Sequence, residues 1–220
     1  MEKKLNKKIE IKNEKQIKLL IVCILIYYTS RYIFDITDKI PTYRETLYVS
    51  WAITTVVVAL IYIIYRCMWK DRGKIHFLNF RQYIVGIVVT LLLCMERYIY
   101  GRIVGEVRYG FSMPAVDRFI LDLISIFVFT AFSEELVSRI VIQDSFSRLL
   151  GKKLSFVAPI ISALCFAVFH YPQMGMVGFK NNFFVGLVLG FSRQYIPDCT
   201  LISLTMAHGF MNLALLVGIV

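Results

Sequence analysis

Leu47–Tyr65 reads LYVSWAITTVVVALIYIIY and holds no Asp, Glu, Lys or Arg. Wound as an α-helix at about 1.5 Å per residue, it reaches about 28 Å, the thickness of a bilayer's hydrocarbon core. Two similar blocks flank it, Leu19–Ser30 (LLIVCILIYYTS) and Ile84–Met95 (IVGIVVTLLLCM). Across the 220 residues 58% are hydrophobic and 18% charged, with a mean hydropathy of +0.65. A soluble domain of this size must cover itself with far more polar area, so the composition excludes one. The expected fold is all-α, a polytopic transmembrane helical bundle.

The net charge of +10 is placed rather than spread. Lys3, Lys4, Lys7, Lys8, Lys12, Lys15 and Lys18 precede the first apolar block, and Arg66, Lys70, Arg72, Lys74 and Arg81 lie between the second and third. The stretch between the first two blocks, Phe34–Thr46, sets Asp35, Asp38 and Glu45 against Lys39 and Arg44. Positive residues gather on the cytoplasmic side of membrane proteins, which puts the N-terminus in the cytoplasm. Anionic lipids are the expected partners of the basic N-terminus, and nucleic acid is not. The Lys, Ile and Asn load of residues 1–20 suits an AT-rich bacterial genome, so the bacterial cell membrane is the expected location. Cys23, Cys67, Cys94, Cys165 and Cys199 form no CxxC or close pair, which indicates neither a disulfide scaffold nor a zinc knuckle. A cleavable signal peptide is not expected, because Tyr27, Tyr28 and Arg31 stand where small residues would be needed.

About seven spans are expected, near 18–34, 47–65, 82–100, 119–147, 154–170, 182–196 and 200–220. Alternation from a cytoplasmic start puts Gly151-Lys152-Lys153 inside and Tyr171–Asn181 outside, as the charge rule asks. Trp51 and Trp69 fall near span ends, where interface anchors belong. Residues 96–118, with Gly101, Gly105, Gly110 and Pro114 among mixed charges, read as a re-entrant or interfacial segment or an extracellular loop. The chain thus divides into a basic cytoplasmic arm (1–17), N-terminal spans with a polar loop (18–118) and a core of four transmembrane helices (119–220).

Chemistry concentrates in that core. The fourth span reads FTAFSEELVSRIV over 129–141. Two carboxylates and an arginine inside an apolar helix are costly unless paired or functional. Glu135 and Arg139 are i,i+4 and form an ion pair on one face, while Glu134 points about 100° away. Glu134 then faces a cavity as a general base, or else the group only locks helix to helix. The fifth span ends Phe166-x-x-x-His170, and the seventh carries His208-x-x-x-Asn212 with both side chains on one face. Two histidines, an asparagine and two glutamates on three helices suggest a shared polar cavity. His76, in a basic loop, has no expected chemistry. Helical rise puts Glu134 roughly 20 Å, His170 roughly 24 Å and His208 roughly 12 Å from the cytoplasmic edge. That spread is too wide for one site without tilt, a broken helix or shifted boundaries. Gly186 and Gly190 make a small-xxx-small face that reads as close helix packing.

These three motifs, Glu134-Glu135-x-x-x-Arg139, Phe166-x-x-x-His170 and His208-x-x-x-Asn212, resemble those of the CPBP intramembrane proteases. That group contains the CAAX prenyl endopeptidases and proteins linked to bacteriocin processing or self-immunity. The resemblance covers about Phe119–Val220, making 119–220 a CPBP-like catalytic core. It implies an intramembrane endopeptidase that cuts a membrane-associated peptide or small protein at the cytoplasmic side of the bilayer. Glu134 and His170 would activate water, His208 and Asn212 would steady the oxyanion, and Glu135 with Arg139 would be the supporting ion pair. Neutral imidazole or an amide can donate to an oxyanion. No cofactor is favoured, although Glu134, Glu135, His170 and His208 are a conceivable Zn²⁺ set, which would make the enzyme a metallopeptidase. The alternative function is a non-catalytic membrane immunity or regulatory protein that binds a bacteriocin-like peptide or a membrane sensor. A transporter would call for an inverted repeat, and none is visible.

Overall fold

The computed structural model describes residues 2–37, 43–69, 79–104 and 115–218, and these hold helix and no strand. First come α1 (Glu2–Thr37), α2 (Tyr43–Met68) and α3 (Phe80–Val104). The fourth passage is a relay of α4 (Val116–Ile124), a π-helical segment (Ser125–Ala131), α5 (Phe132–Glu135), a second π-helical segment (Leu136–Gln143) and α6 (Asp144–Leu154). Then follow α7 (Val157–Tyr195) and α8 (Leu201–Leu216). The basic arm and the first apolar block are one continuous helix, α1. The side chains of residues 1–12, and His76 altogether, lie outside the described residues.

Glu45–Met68, Phe80–Ile103 and Val157–Tyr195 are long and apolar enough to cross a membrane. Only 6% of the most apolar window of Glu45–Met68 is buried inside the protein, and Val56, Leu60 and Ile63 face outward. Such a surface requires lipid. The chain is an integral membrane protein. Where the sequence predicts about seven spans, these three helices meet the length and composition of a span. α8 has 16 residues and is shorter, while the fourth passage is cut into pieces of at most 11 residues. Helix α3 runs on to Val104, so residues 96–104 are neither loop nor re-entrant, and residues 105–114 lie outside the description.

Within α7 the chain reverses. Gly175 takes φ 61°, a left-handed conformation that costs glycine nothing for want of a Cβ. The two arms then pack antiparallel. A Cβ added to Gly186 would lie 3.0 Å from Ala163 Cα, and one on Gly190 would lie 3.1 Å from Pro159 Cβ. The small-xxx-small face therefore serves the preceding arm of its own hairpin. The outside loop expected at Tyr171–Asn181 is helical on both sides of the one-glycine turn.

Polar contacts tie one end of the bundle. Gln16 Nε2 donates to the Met68 carbonyl (3.3 Å), Trp69 Nε1 to Ser145 Oγ (3.0 Å) and Asn79 Nδ2 to Asp198 Oδ1 (3.2 Å). Arg193 donates from Nη2 to Asp144 Oδ2 at 3.1 Å and from Nη1 to the Cys199 carbonyl at 2.8 Å. This latch sets the start of α8 level with Asp144, which stands about 9 Å along the helix from Leu150. Thr200 caps α8 in a reciprocal box with Ser203, and Thr200 Oγ1 donates to Gln82 Oε1 at 2.8 Å, pinning the same point to α3.

Candidate active site

Two histidines converge on the Glu134 carboxylate. Its Oε1 lies 3.7 Å from His170 Nε2, and its Oε2 lies 3.7 Å from His208 Nε2. Both gaps exceed a hydrogen bond, yet one water can touch the two groups across either of them. Glu134 and Glu135 form the end of α5, the short α-helical bridge between the π-helical segments. Such widened turns recur at functional sites, where they re-aim side chains. Here neighbouring glutamates part company. Glu135 is fully buried, while Glu134 lines a cavity of about 300 Å³.

Glu135 is held from two sides. Its Oε2 accepts from Arg139 Nε at 3.0 Å, and its Oε1 is 2.9 Å from His208 Nδ1. Arg139 Nη1 donates to Ser162 Oγ at 2.8 Å, and that hydroxyl donates to the Ser138 carbonyl at 2.7 Å. The guanidinium carbon sits 5.5 Å from the centre of the Phe166 ring, a cation–π contact inside the bundle. The i,i+4 ion pair is formed as the spacing predicts. It also aims a histidine, which the spacing alone does not say.

The partners decide which ring nitrogens carry protons. His170 Nδ1 is 2.8 Å from the Phe166 carbonyl, which can only accept, so Nδ1 is the N–H. The Nε2 of neutral His170 is therefore a lone pair facing Glu134. His208 Nδ1 likewise donates to Glu135, whose other oxygen is neutralised by Arg139. In neutral His208 this is the one N–H, and Nε2 is a donor only in the imidazolium form.

Asn212 lies one turn beyond His208 on α8, half-buried, and its amide makes no hydrogen bond within the described residues. The structure thus brings together Glu134, Glu135, Arg139, His170 and His208, while Asn212 stands one turn from His208 on α8. Of the four residues in the conceivable zinc set, Glu135 has both oxygens engaged, one by Arg139 and one by His208. No group of three or more His, Cys, Asp or Glu among the described residues is arranged to hold a metal ion.

Sequence reasoning missed the wall opposite Glu134. Tyr27 of α1 stacks on Phe169 (4.0 Å between centroids, 11° between planes), and Trp51 of α2 stacks on Phe129 (4.7 Å, 5°). Tyr28 OH donates to the Cys165 carbonyl, fastening α1 to α7. Tyr27 and Trp51 both line the Glu134 cavity. Their only signal in the sequence is an aromatic ring near a span end, which reads equally as an interface anchor.

No curated protein and no solved structure gives a match to the chain. Residues 117–214, just under half of the chain, match the family model described as type II CAAX prenyl endopeptidase Rce1-like. That stretch contains Glu134, Glu135, Arg139, His170, His208 and Asn212, and it excludes α1, α2 and α3. Over residues 117–214 this membrane protein is similar to the Rce1-like family of type II CAAX prenyl endopeptidases.

Proposed function

We propose that the protein is an intramembrane endopeptidase that hydrolyses a peptide bond in a membrane-associated peptide or small protein, without a metal. Glu134 takes a proton from a water that also donates to His170 Nε2, and the water oxygen attacks the substrate carbonyl carbon. The Asn212 amide and the His208 imidazolium donate to the oxyanion that forms. The C–N bond then breaks, and the proton held by Glu134 passes to the leaving nitrogen. Glu135 and Arg139 position His208. The basic arm of α1 meets anionic headgroups, and the location is a bacterial cell membrane.

The observation that carries this reading is the seat of Glu134, with each carboxylate oxygen 3.7 Å from one histidine Nε2. Asn212, with no hydrogen-bond partner among the described residues, supports it further. The test uses purified protein in lipid nanodiscs and a panel of internally quenched, membrane-anchored peptides. Cleavage is expected to survive exhaustive chelation. One tightly held metal ion per chain, whose removal abolishes turnover and whose return restores it, would overturn the metal-free mechanism. Binding of a peptide with no cleavage, unchanged in Glu134→Gln, would point to the immunity or regulatory role instead.

A further inference from the structure

A second cavity, of about 700 Å³ against about 300 Å³ beside Glu134, lies between α3 and the second arm of α7. Leu92 and Met95 wall it on one side, and Leu187, Val188 and Phe191 on the other. The rings of Tyr100 and Phe184, 6.0 Å apart between centroids, join the two helices. Met95, Ile99 and Ile103 along its rim are exposed, so the groove opens onto the apolar surface that faces lipid.

Into this apolar wall the sequence sets one carboxylate. Glu96 lines the groove, both of its oxygens are buried, and neither has a hydrogen-bond partner among the described residues. The charge of adjacent Arg97 acts on it without a hydrogen bond. Glu135 shows the contrast, with a donor from the protein on each oxygen. Buried oxygens without donors are destabilising, and an ionised carboxylate most of all, unless something that binds there supplies the hydrogen bonds. The chemistry at Glu134 does not use Glu96.

Depth says what can reach it. The start of α3 is tied to Asp198 through Asn79, and Glu96 stands about 24 Å further along the helix from Phe80. In a hydrocarbon layer about 30 Å thick, that is close to the opposite headgroups. Arg97, Tyr98, Tyr100 and Arg102 follow, residue types that gather at that boundary. A molecule that fills this groove is therefore hydrocarbon for most of its length and carries a donor at headgroup depth. An ammonium complements the carboxylate, whereas the head of an anionic lipid brings like charge to it.

We propose that the groove holds one phospholipid whose headgroup is a primary ammonium, with an acyl chain between α3 and α7 and the ammonium N–H groups donating to Glu96. The lipid ties α3 to α7, the helix that carries His170. This site is independent of the reaction at Glu134.

The test titrates the purified protein in detergent with phosphatidylethanolamine, phosphatidylcholine or phosphatidylglycerol of the same acyl chains. Bound lipid is counted by native mass spectrometry and melting is followed in parallel. Phosphatidylcholine keeps the positive charge but has no N–H to donate. Phosphatidylethanolamine is expected to be retained at one per chain, about tenfold or more tightly than the other two, and to raise the melting temperature. Glu96→Leu is expected to fold, because an apolar side chain then replaces an unbonded carboxylate in an apolar wall, and to lose the preference. Glu96→Gln, which keeps the shape without the charge, is expected to lose most of it. Equal retention of the three lipids by the wild type would overturn the proposal, as would a preference that survives in Glu96→Leu. A dimer of this chain that excludes the lipid and that Glu96→Leu dissociates would also overturn it, and would assign the groove to self-association.

Discussion

His208 Nδ1 donates to Glu135 Oε1 at 2.9 Å, so the histidine that faces Glu134 is aimed by the glutamate next to it in the chain. Adjacent carboxylates on one helix thereby take different work. Glu135 spends both oxygens on Arg139 and His208, and Glu134 turns to the cavity. The following consequences are measurable.

Glu134→Gln keeps the shape of the side chain and removes its capacity to accept a proton. Turnover is expected to fall by about 10²–10⁴-fold, while melting temperature in detergent stays near the wild type. Retained turnover in the variant would end the general-base assignment.

Glu135→Gln leaves Arg139 buried without its counter-charge and leaves one acceptor oxygen where Arg139 and His208 now use two. A loss of about 3–5 kcal/mol in stability is expected, together with lost activity. Arg139→Met added to it is expected to recover part of that stability, because the orphaned charge is then gone. Denaturation of the two variants and of Arg139→Met in a double-mutant cycle measures the coupling, and a coupling near zero would contradict the pairing.

Asn212→Ala removes an amide that bonds to nothing within the described residues. Stability is expected to hold, and kcat to drop by about 10²–10³-fold. The two effects are read separately by thermal unfolding and by turnover of the quenched peptides. A destabilised variant with normal kcat would assign Asn212 to packing.

Gly186→Val places side-chain atoms where the hairpin arms touch, since even a Cβ there would stand 3.0 Å from Ala163 Cα and Cβ. Backbone cannot yield as a flexible side chain can. The expected cost is about 1–3 kcal/mol, seen as a lowered melting temperature with no change in KM for the protein that remains folded. Gly209→Ala is the companion case, its Cβ falling 2.4 Å from Phe127 Cε1. Phe127→Leu is expected to rescue it, because the ring is the obstacle.

Much of this protein was legible before any fold was known. Leu47–Tyr65 could only be a lipid-facing helix, because no aqueous surface accommodates so long an uncharged run. Glu134, Glu135 and Arg139 were conspicuous for the opposite reason, as ionisable groups where ionisation is costly. Their division of labour followed from helix geometry, since residues one turn apart meet and adjacent residues diverge. These are local facts of period and polarity, and one chain carries them in one dimension.

What tertiary structure decided was depth and enclosure. Rise per residue left His208 too shallow to meet Glu134, and nothing in its own helix corrects that. The correction comes from Arg193, which binds Asp144 and the Cys199 carbonyl and so sets the start of α8 level with Asp144. The tautomers of His170 and His208 were equally out of reach, because they depend on which acceptor lies across a gap closed by packing. So did the cavity wall of Tyr27 and Trp51, whose rings become part of a site only when α1 and α2 fold over the fourth passage. A residue type and its spacing state what a group can do; which groups share a cavity is set by contacts between residues far apart in the chain.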